Sequence, residues 1–365
     1  MIFSKIKFLG LDRCFEEHQE NLLDIYKTIG LTGQVVGGKH VSKFEDTCAS
    51  ISKRKYAVSV ANATDGVFFA LKALGIKEGD EVLTTSYSFH ATAESILRTG
   101  ATPVFVDVDD HYHIDLVEAE KHITTKTKAI VIVNLLGDCM ALDLLQEFTN
   151  KHNLLLVEDA AQSLMAEWNG TPSGKYGVAS VYSFAPSKNI PGFSHGGCVV
   201  TDNEIVYNKV KTMKLHGKDS SGHATLGYNS IVSSFEAGQI NYFLTLSNEW
   251  QERRLNIAER YINGLQNVVK TPLTRDTTTH GWHKFVVRVS NRDGLKTHLN
   301  NNNIECGIHY NTLTPNEPLF NSSVRFKNAE LLASESLSLP IYPELTNKEV
   351  DYIIKTICTF YQNVR

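Results

Sequence analysis

Lys188 stands in the stretch Val181-Tyr-Ser-Phe-Ala-Pro-Ser-Lys-Asn-Ile190, after a β-rich run and before Pro191-Gly192 and Gly196-Gly197. These neighbours place it in a turn between strands rather than on a helix face. A lysine desolvated in such a turn can shed its proton and attack a carbonyl. Upstream, Asp159 closes the apolar run LLLVED, where a carboxylate is costly unless it meets a positive partner. Further upstream, Asn62-Ala63-Thr64-Asp65-Gly66 joins YAVSVA to the helical VFFALKAL. The backbone N–H groups of such a helix start, with the Thr64 hydroxyl, favour an anion. A reactive amine, a carboxylate for a ring nitrogen and a phosphate cradle are together what pyridoxal phosphate needs.

Each element has a plainer reading when taken singly. Most lysines are solvated charges, and Asn62 or Thr64 could simply cap the helix. Glu158, beside Asp159, reads as an exposed strand-end carboxylate or a cap. Gln162 could reach the phenolic oxygen of the cofactor, and Ser183 could supply another phosphate hydroxyl. Phe89, in the loop after EVLTTSYS, could cover the ring face or be ordinary core.

These residues need a scaffold that brings distant segments together. Seven runs read as strands: 56–61, 81–86, 102–108, 128–134, 154–160, 179–184 and 197–202. Helical patterns lie between them at 65–74, 91–99, 142–152 and 204–215. Several strands are apolar on both faces, as in a sheet covered by helices on each side. The expected fold is therefore α/β, with a large, mostly parallel central sheet and the chemistry at the strand carboxyl ends. The N-terminal residues should pack as helix or arm. From about Ser247 a charged helix, the strand WHKFVVRV, and a helix and strand around DGLKTHLNNNNIECGIHY suggest a smaller α+β unit. The division expected is 1–246 for the large domain and 247–365 for the small one, with Asn300–Asn303 as a polar loop.

With 36 basic and 40 acidic residues the net charge is -4, and no basic run marks a nucleic-acid site. The six scattered cysteines form no Cys-x-x-Cys, which argues against disulfides or structural zinc. Lysines interrupt the apolar N-terminus and no apolar run is long enough to span a bilayer, so a soluble cytoplasmic protein is expected. Gly33-Gln-Val-Val-Gly-Gly-Lys39 approaches a nucleotide P-loop. His40, however, stands where a hydroxyl must hold magnesium, and a helix precedes it. Asp109, Asp110, His111, His113 and Asp115 suggest a metal cluster, but they read better as a solvated turn; no metal is expected.

The chain resembles the sugar-nucleotide aminotransferases of DegT/DnrJ/StrS type, within the fold-type I pyridoxal-phosphate superfamily. The resemblance runs over nearly the whole length. Its anchors are KYAVSVANATDG, GATPVFVDVD, LLLVEDAAQS, SFAPSKNIPGFSHGGCVVTD, GYNSI, GIHY and LSLPIYPELT. It implies that Lys188 carries the cofactor covalently, Asp159 pairs with the ring nitrogen, Gln162 meets the phenolic oxygen and Phe89 stacks on the ring. It also implies that Ala63, Thr64 and Ser183 hold the phosphate, and that Asn229 reaches it from the neighbouring subunit of a homodimer with shared active sites. His309 and Tyr310 would approach the substrate, though a structural role for His309 stays open.

The implied reaction moves an amino group from glutamate to a nucleotide-linked keto-deoxysugar. A related sugar dehydratase has histidine in place of the lysine, and a non-catalytic regulatory protein of the same fold is the other alternative. The chain departs from the family pattern at Ser194-His195, Asn134, Ile231 and Leu313-Thr314-Pro315, positions expected to shape the sugar side.

Overall fold

The computed structural model describes residues 5–362; residues 1–4 and 363–365, the extremities of the two expected domains, lie outside the described residues. Helices α1 (Leu11–Thr32) and α2 (Gly38–Ile51) come first. Then β1 (Tyr56–Val60), α3 (Ala63–Ala73), β2 (Glu81–Thr85), α4 (Ala91–Leu97), β3 (Thr102–Val106), α5 (Leu116–Lys121), β4 (Thr127–Val133), α6 (Leu142–His152) and β5 (Leu155–Asp159) alternate. Two short strands, β6 (Glu167–Trp168) and β7 (Thr171–Pro172), lead to β8 (Ala179–Ser183) and β9 (Gly197–Thr201). All seven runs read as strands are strands.

They form one sheet in the order β1-β9-β8-β5-β4-β2-β3. Strand β9 runs antiparallel to both its neighbours, and the other pairings are parallel. The start of β9 therefore meets the carboxyl ends of β1 and β8: Gly197 pairs with both Val60 and Ser183. Alternation along the strands builds two cores. Val181 and Val199 face Val67 and Phe68 of α3, whereas Tyr182 and Cys198 face Phe44 of α2 and other groups. A Cβ on Gly66 would come within 2.5 Å of Val181 Cγ1, so glycine lets α3 lie directly on the sheet.

The same alternation sends Glu158 and Asp159 to opposite faces, and Glu158 is not the exposed carboxylate its position suggested. It is fully buried and accepts from Asn134 Nδ2 at 2.7 Å, Ser180 Oγ at 2.7 Å, Ser173 Oγ at 3.0 Å and the Gly174 N–H at 3.0 Å. It ties β4, β5 and β8 to the turn that follows β7. Replacing it with leucine orphans these donors and is expected to cost roughly 3 kcal/mol of stability, read as a lowered denaturant midpoint. Glu158→Gln, which keeps an acceptor, should lose much less.

The rest comprises α7 (Glu204–Met213), the hairpin β10 (Lys218–Asp219) and β11 (Gly222–His223), α8 (Ser234–Thr245) and α9 (Ser247–Leu265). After β12 (Thr278–Thr279) come β13 (Phe285–Arg288), α10 (Arg292–Asn301), α11 (Lys327–Glu335), β14 (Ser336–Leu339) and α12 (Asn347–Gln362). Strands β13 and β14 pair antiparallel, and Ile257, Tyr261, Phe285, Leu337 and Ile353 share a core there. Two details differ from expectation. Asn300 and Asn301 belong to α10, and Asn303 turns the chain with φ 59°, a conformation that asparagine tolerates. The GIHY segment pairs with β14 only at Gly307, opposite Ser338; beyond it the Tyr87 hydroxyl accepts from the Tyr310 N–H at 2.8 Å and donates to the His309 carbonyl. Among the described residues no helix is long and apolar enough to cross a membrane.

Candidate active site

A cavity of about 640 Å³ opens at the carboxyl edge of the sheet, bounded by the starts of α3 and α4, the turn after β8 and the His309–Tyr310 segment. Its floor is set by close backbone approach. A Cβ on Gly197 would lie 2.5 Å from the Asn62 carbonyl carbon, so only glycine lets β9 meet the start of α3. Asn62 caps that helix by accepting from the Asp65 N–H at 2.8 Å. Asp65 is held by Arg98 at 2.8 Å and by the Ser230 hydroxyl at 2.7 Å. The first-turn N–H groups at Ala63 and Thr64 have no acceptor within the helix, and both residues line the cavity with Ser183. This is an anion cradle of the kind a phosphate fills.

Asp159, at the end of β5, also faces this space. Its carboxylate accepts from Thr92 Oγ1 at 2.7 Å and from the Ala161 N–H at 3.1 Å. Burial raises its pKa, while those two bonds and the Lys188 charge oppose the rise. A carboxylate so placed gains most from a cation. Lys188 enters from the turn after β8, where its N–H bonds the Ala185 carbonyl at 2.9 Å. Burial lowers its pKa to about 8, against the pull of Asp159. A sizeable neutral fraction is thus available near neutral pH.

Gln162 bridges two elements. It accepts from the Leu136 N–H at 3.1 Å and donates to the Tyr310 hydroxyl at 3.0 Å. Phe89 is half exposed, its ring 6.1 Å from that of Tyr310. The imidazole of His309 lies 2.8 Å from Ser338 Oγ, and burial with nearby lysine charge lowers its pKa to about 3, so it is neutral.

Ala63, Thr64, Phe89, Asp159, Gln162, Ser183, Lys188, His309 and Tyr310 all line the one cavity, whereas Asn229 is exposed outside it. Among the positions that depart from the family pattern, His195 lines it. Asn134 does not: its amide points to the other face, onto Glu158, and its Oδ1 accepts from the Met140 N–H at 2.9 Å. The cavity wall likewise omits Ile231 and Leu313–Pro315; Thr314 instead bonds the Ser86 and Ser88 carbonyls.

Sequence reasoning missed Thr92, His283 and Lys284, which also face the cavity. Thr92 left no signal, but a lysine inside the apolar run WHKFVVRV was as anomalous as Asp159 in its own strand. The turn around His111 and His113 is not solvated. His113 is 1% exposed, and His111 Nδ1 lies 3.2 Å from Asp138 Oδ2, to which Arg275 donates at 2.8 Å. The loop after β4 brings Asp138 back over the turn, a contact with no local signature.

The donor set fits pyridoxal phosphate. Lys188 would hold its aldehyde carbon, Asp159 its ring nitrogen, and Ala63, Thr64 and Ser183 its phosphate. The cavity volume is within the usual range for a cofactor and substrate site.

The family described as DegT/DnrJ/EryC1/StrS aminotransferase family matches residues 16–358. A pleiotropic regulatory protein of Geobacillus stearothermophilus is 32% identical over 98% of this chain and 99% of its own. The dTDP-3-amino-3,4,6-trideoxy-alpha-D-glucose transaminase of Streptomyces venezuelae is 31% identical over 99% of this chain and 97% of its own. The crystal structure of S. venezuelae DesV in complex with a ketimine intermediate superposes with a TM-score of 0.95 at 30% identity, covering 99% of each chain.

Proposed function

Since this chain belongs to the DegT/DnrJ/EryC1/StrS aminotransferase family, we propose that it carries an amino group from glutamate to a nucleotide-linked keto-deoxysugar in amino-sugar biosynthesis. It is a pyridoxal-phosphate-dependent aminotransferase. The observation that carries the reading is the convergence of the Lys188 amine and the Asp159 carboxylate on one cavity with the α3 N-terminus. The sugar-nucleotide acceptor is supported by the dTDP-sugar transaminase relative.

When bound, the cofactor supplies an electrophilic aldehyde and a ring that accepts electrons from the substrate carbon. The side chains provide the remaining steps. Lys188, as its neutral amine, would hold the aldehyde carbon, and its amine is placed to take a proton from the donor α-carbon and to return one on the cofactor side. Asp159, steadied by Thr92, would pair with the ring nitrogen and favour its protonated form. Gln162 would face the phenolic oxygen, and Phe89 and Tyr310 would shield the ring from water. In the second half-reaction Lys188 moves protons in the reverse order, leaving the amine on the sugar carbon.

Homodimer formation with shared sites is part of the proposal. Asn229 is exposed, as are Leu31, Val36 and Leu226, where a second subunit could cover them. The free cysteines suit a cytoplasmic setting. A regulatory role without turnover is the second reading, prompted by the Geobacillus relative. The retained Lys188 weighs against it, and equally against a dehydratase.

A panel of nucleotide keto-sugars with glutamate, followed by mass detection and NMR of the aminated carbon, tests the proposal. A product one amine richer is expected. No amination of any acceptor, with the cofactor bound and unresponsive to glutamate, would favour the regulatory reading.

A further inference from the structure

Lys284 is 5% exposed, directly precedes β13 and lines the same cavity as Lys188. Its Nζ donates to the Ser187 carbonyl at 3.5 Å, one residue before Lys188, and lies 4.9 Å from the centre of the Phe8 ring. That ring stacks on His309 at 5.5 Å. The segment carrying Lys284 is fastened to the lysine turn: Asn189 Nδ2 donates to the Gly281 carbonyl at 2.5 Å, and Asn189 Oδ1 lies 3.2 Å from His283 Nδ1. The Lys284 N–H also bonds the Leu136 carbonyl at 3.1 Å. The two amines thus share one rigid wall.

What this wall lacks, among the described residues, is a free anion: Glu344, in the pocket behind both lysines, is drawn to Arg254 and Cys14. The carboxylates lining the cavity are Asp65, Glu94 and Asp159. Asp65 is taken by Arg98 and Ser230, Glu94 lies 3.8 Å from His90, and Asp159 is bonded by Thr92 and Ala161. The side-chain charges that act on Lys284 are those of Arg254 and Lys188, both positive. Burial beside these cations lowers the Lys284 pKa to about 7, so its charge is held weakly alone and a bound anion would restore it. The phosphate cradle is already provided elsewhere, by the start of α3 and Ser183. An amino-acid donor carries its α-carboxylate on the carbon that loses a proton to Lys188, so that carboxylate must lie beside this lysine.

We propose that Lys284 binds the carboxylate of the amino donor, positioning its α-carbon for Lys188. This rests on the aminotransferase reading, but the site makes a separate demand: a carboxylate. A carboxylate on the sugar would satisfy the same chemistry, and the two half-reactions tell the sources apart.

The holoenzyme and its Lys284→Met and Lys284→Gln variants are followed by cofactor absorbance in single half-reactions, and glutarate, an unreactive dicarboxylate, is titrated by calorimetry. Both variants should need on the order of 10- to 100-fold more glutamate for half-maximal conversion. They should lose glutarate binding in the same proportion, with a much smaller effect on the keto-sugar half-reaction. Unaltered glutamate dependence and glutarate affinity in both variants would overturn the assignment. A defect confined to the sugar half-reaction would overturn it in favour of a sugar carboxylate. A wild-type protein that ignores glutamate yet binds glutarate in a Lys284-dependent way would overturn glutamate as the donor and keep the carboxylate site.

Discussion

Lys188→Ala is expected to lose turnover by roughly 10⁴-fold and to show no covalent cofactor absorbance, while still folding. The residue has two duties, and alanine removes both: the attachment to the aldehyde and the proton transfer at the donor α-carbon. Native wild-type holoenzyme reduced with borohydride and then denatured and digested should carry the cofactor on the peptide containing Lys188; the variant should carry none. A variant that kept the attachment and turned over would overthrow the assignment. The wild-type pH dependence follows from the same environment. Attachment needs the neutral amine, and burial lowers the Lys188 pKa to about 8, so covalent uptake should accelerate as pH rises through that value and level off above it. At pH 7 about a tenth of the amines are neutral, against well under a thousandth for an unperturbed lysine. Uptake that kept rising steeply to pH 10 would contradict the burial argument.

Asp159→Asn should lower kcat by roughly 10²- to 10³-fold in both half-reactions while weakening cofactor retention less. The amide Oδ1 can still accept from the Ala161 N–H while its NH2 donates to the Thr92 hydroxyl oxygen, so the local geometry survives. What it lacks is the negative charge that keeps the ring nitrogen protonated. Burial opposes ionisation of Asp159 alone and raises its pKa; pairing with a ring cation should bring it down again. The loss should therefore appear in single-turnover rates with donor and with acceptor alike. A variant slowed only in one half-reaction would move Asp159 from the ring to one substrate.

Much of the sheet was readable because its strands announce themselves. β4 and β5 are apolar on both faces, and β8 and β9 are buried along their whole length. The Lys188 turn was equally plain from its prolines and glycines. Glu158 was misread because a carboxylate at a strand end has no local mark of which face it takes. Its partners, Ser173, Gly174 and Ser180, come from later segments. His111 and His113 were misread for the same reason, since Asp138 and Arg275 reach them from distant loops.

Lys188 with its turn, the Asp159 strand end and the Asn62–Gly66 helix start were already written in the linear chain, because each depends on residue type and near neighbours. The fold settled which of them share a space. The antiparallel return of β9 places Gly197 against Asn62, and Tyr87 pulls His309 and Tyr310 over Gln162. Asn134 is turned away from the cavity, and Lys284 is set into its wall. These outcomes depend on pairing and burial between segments far apart in the chain, which local pattern does not encode.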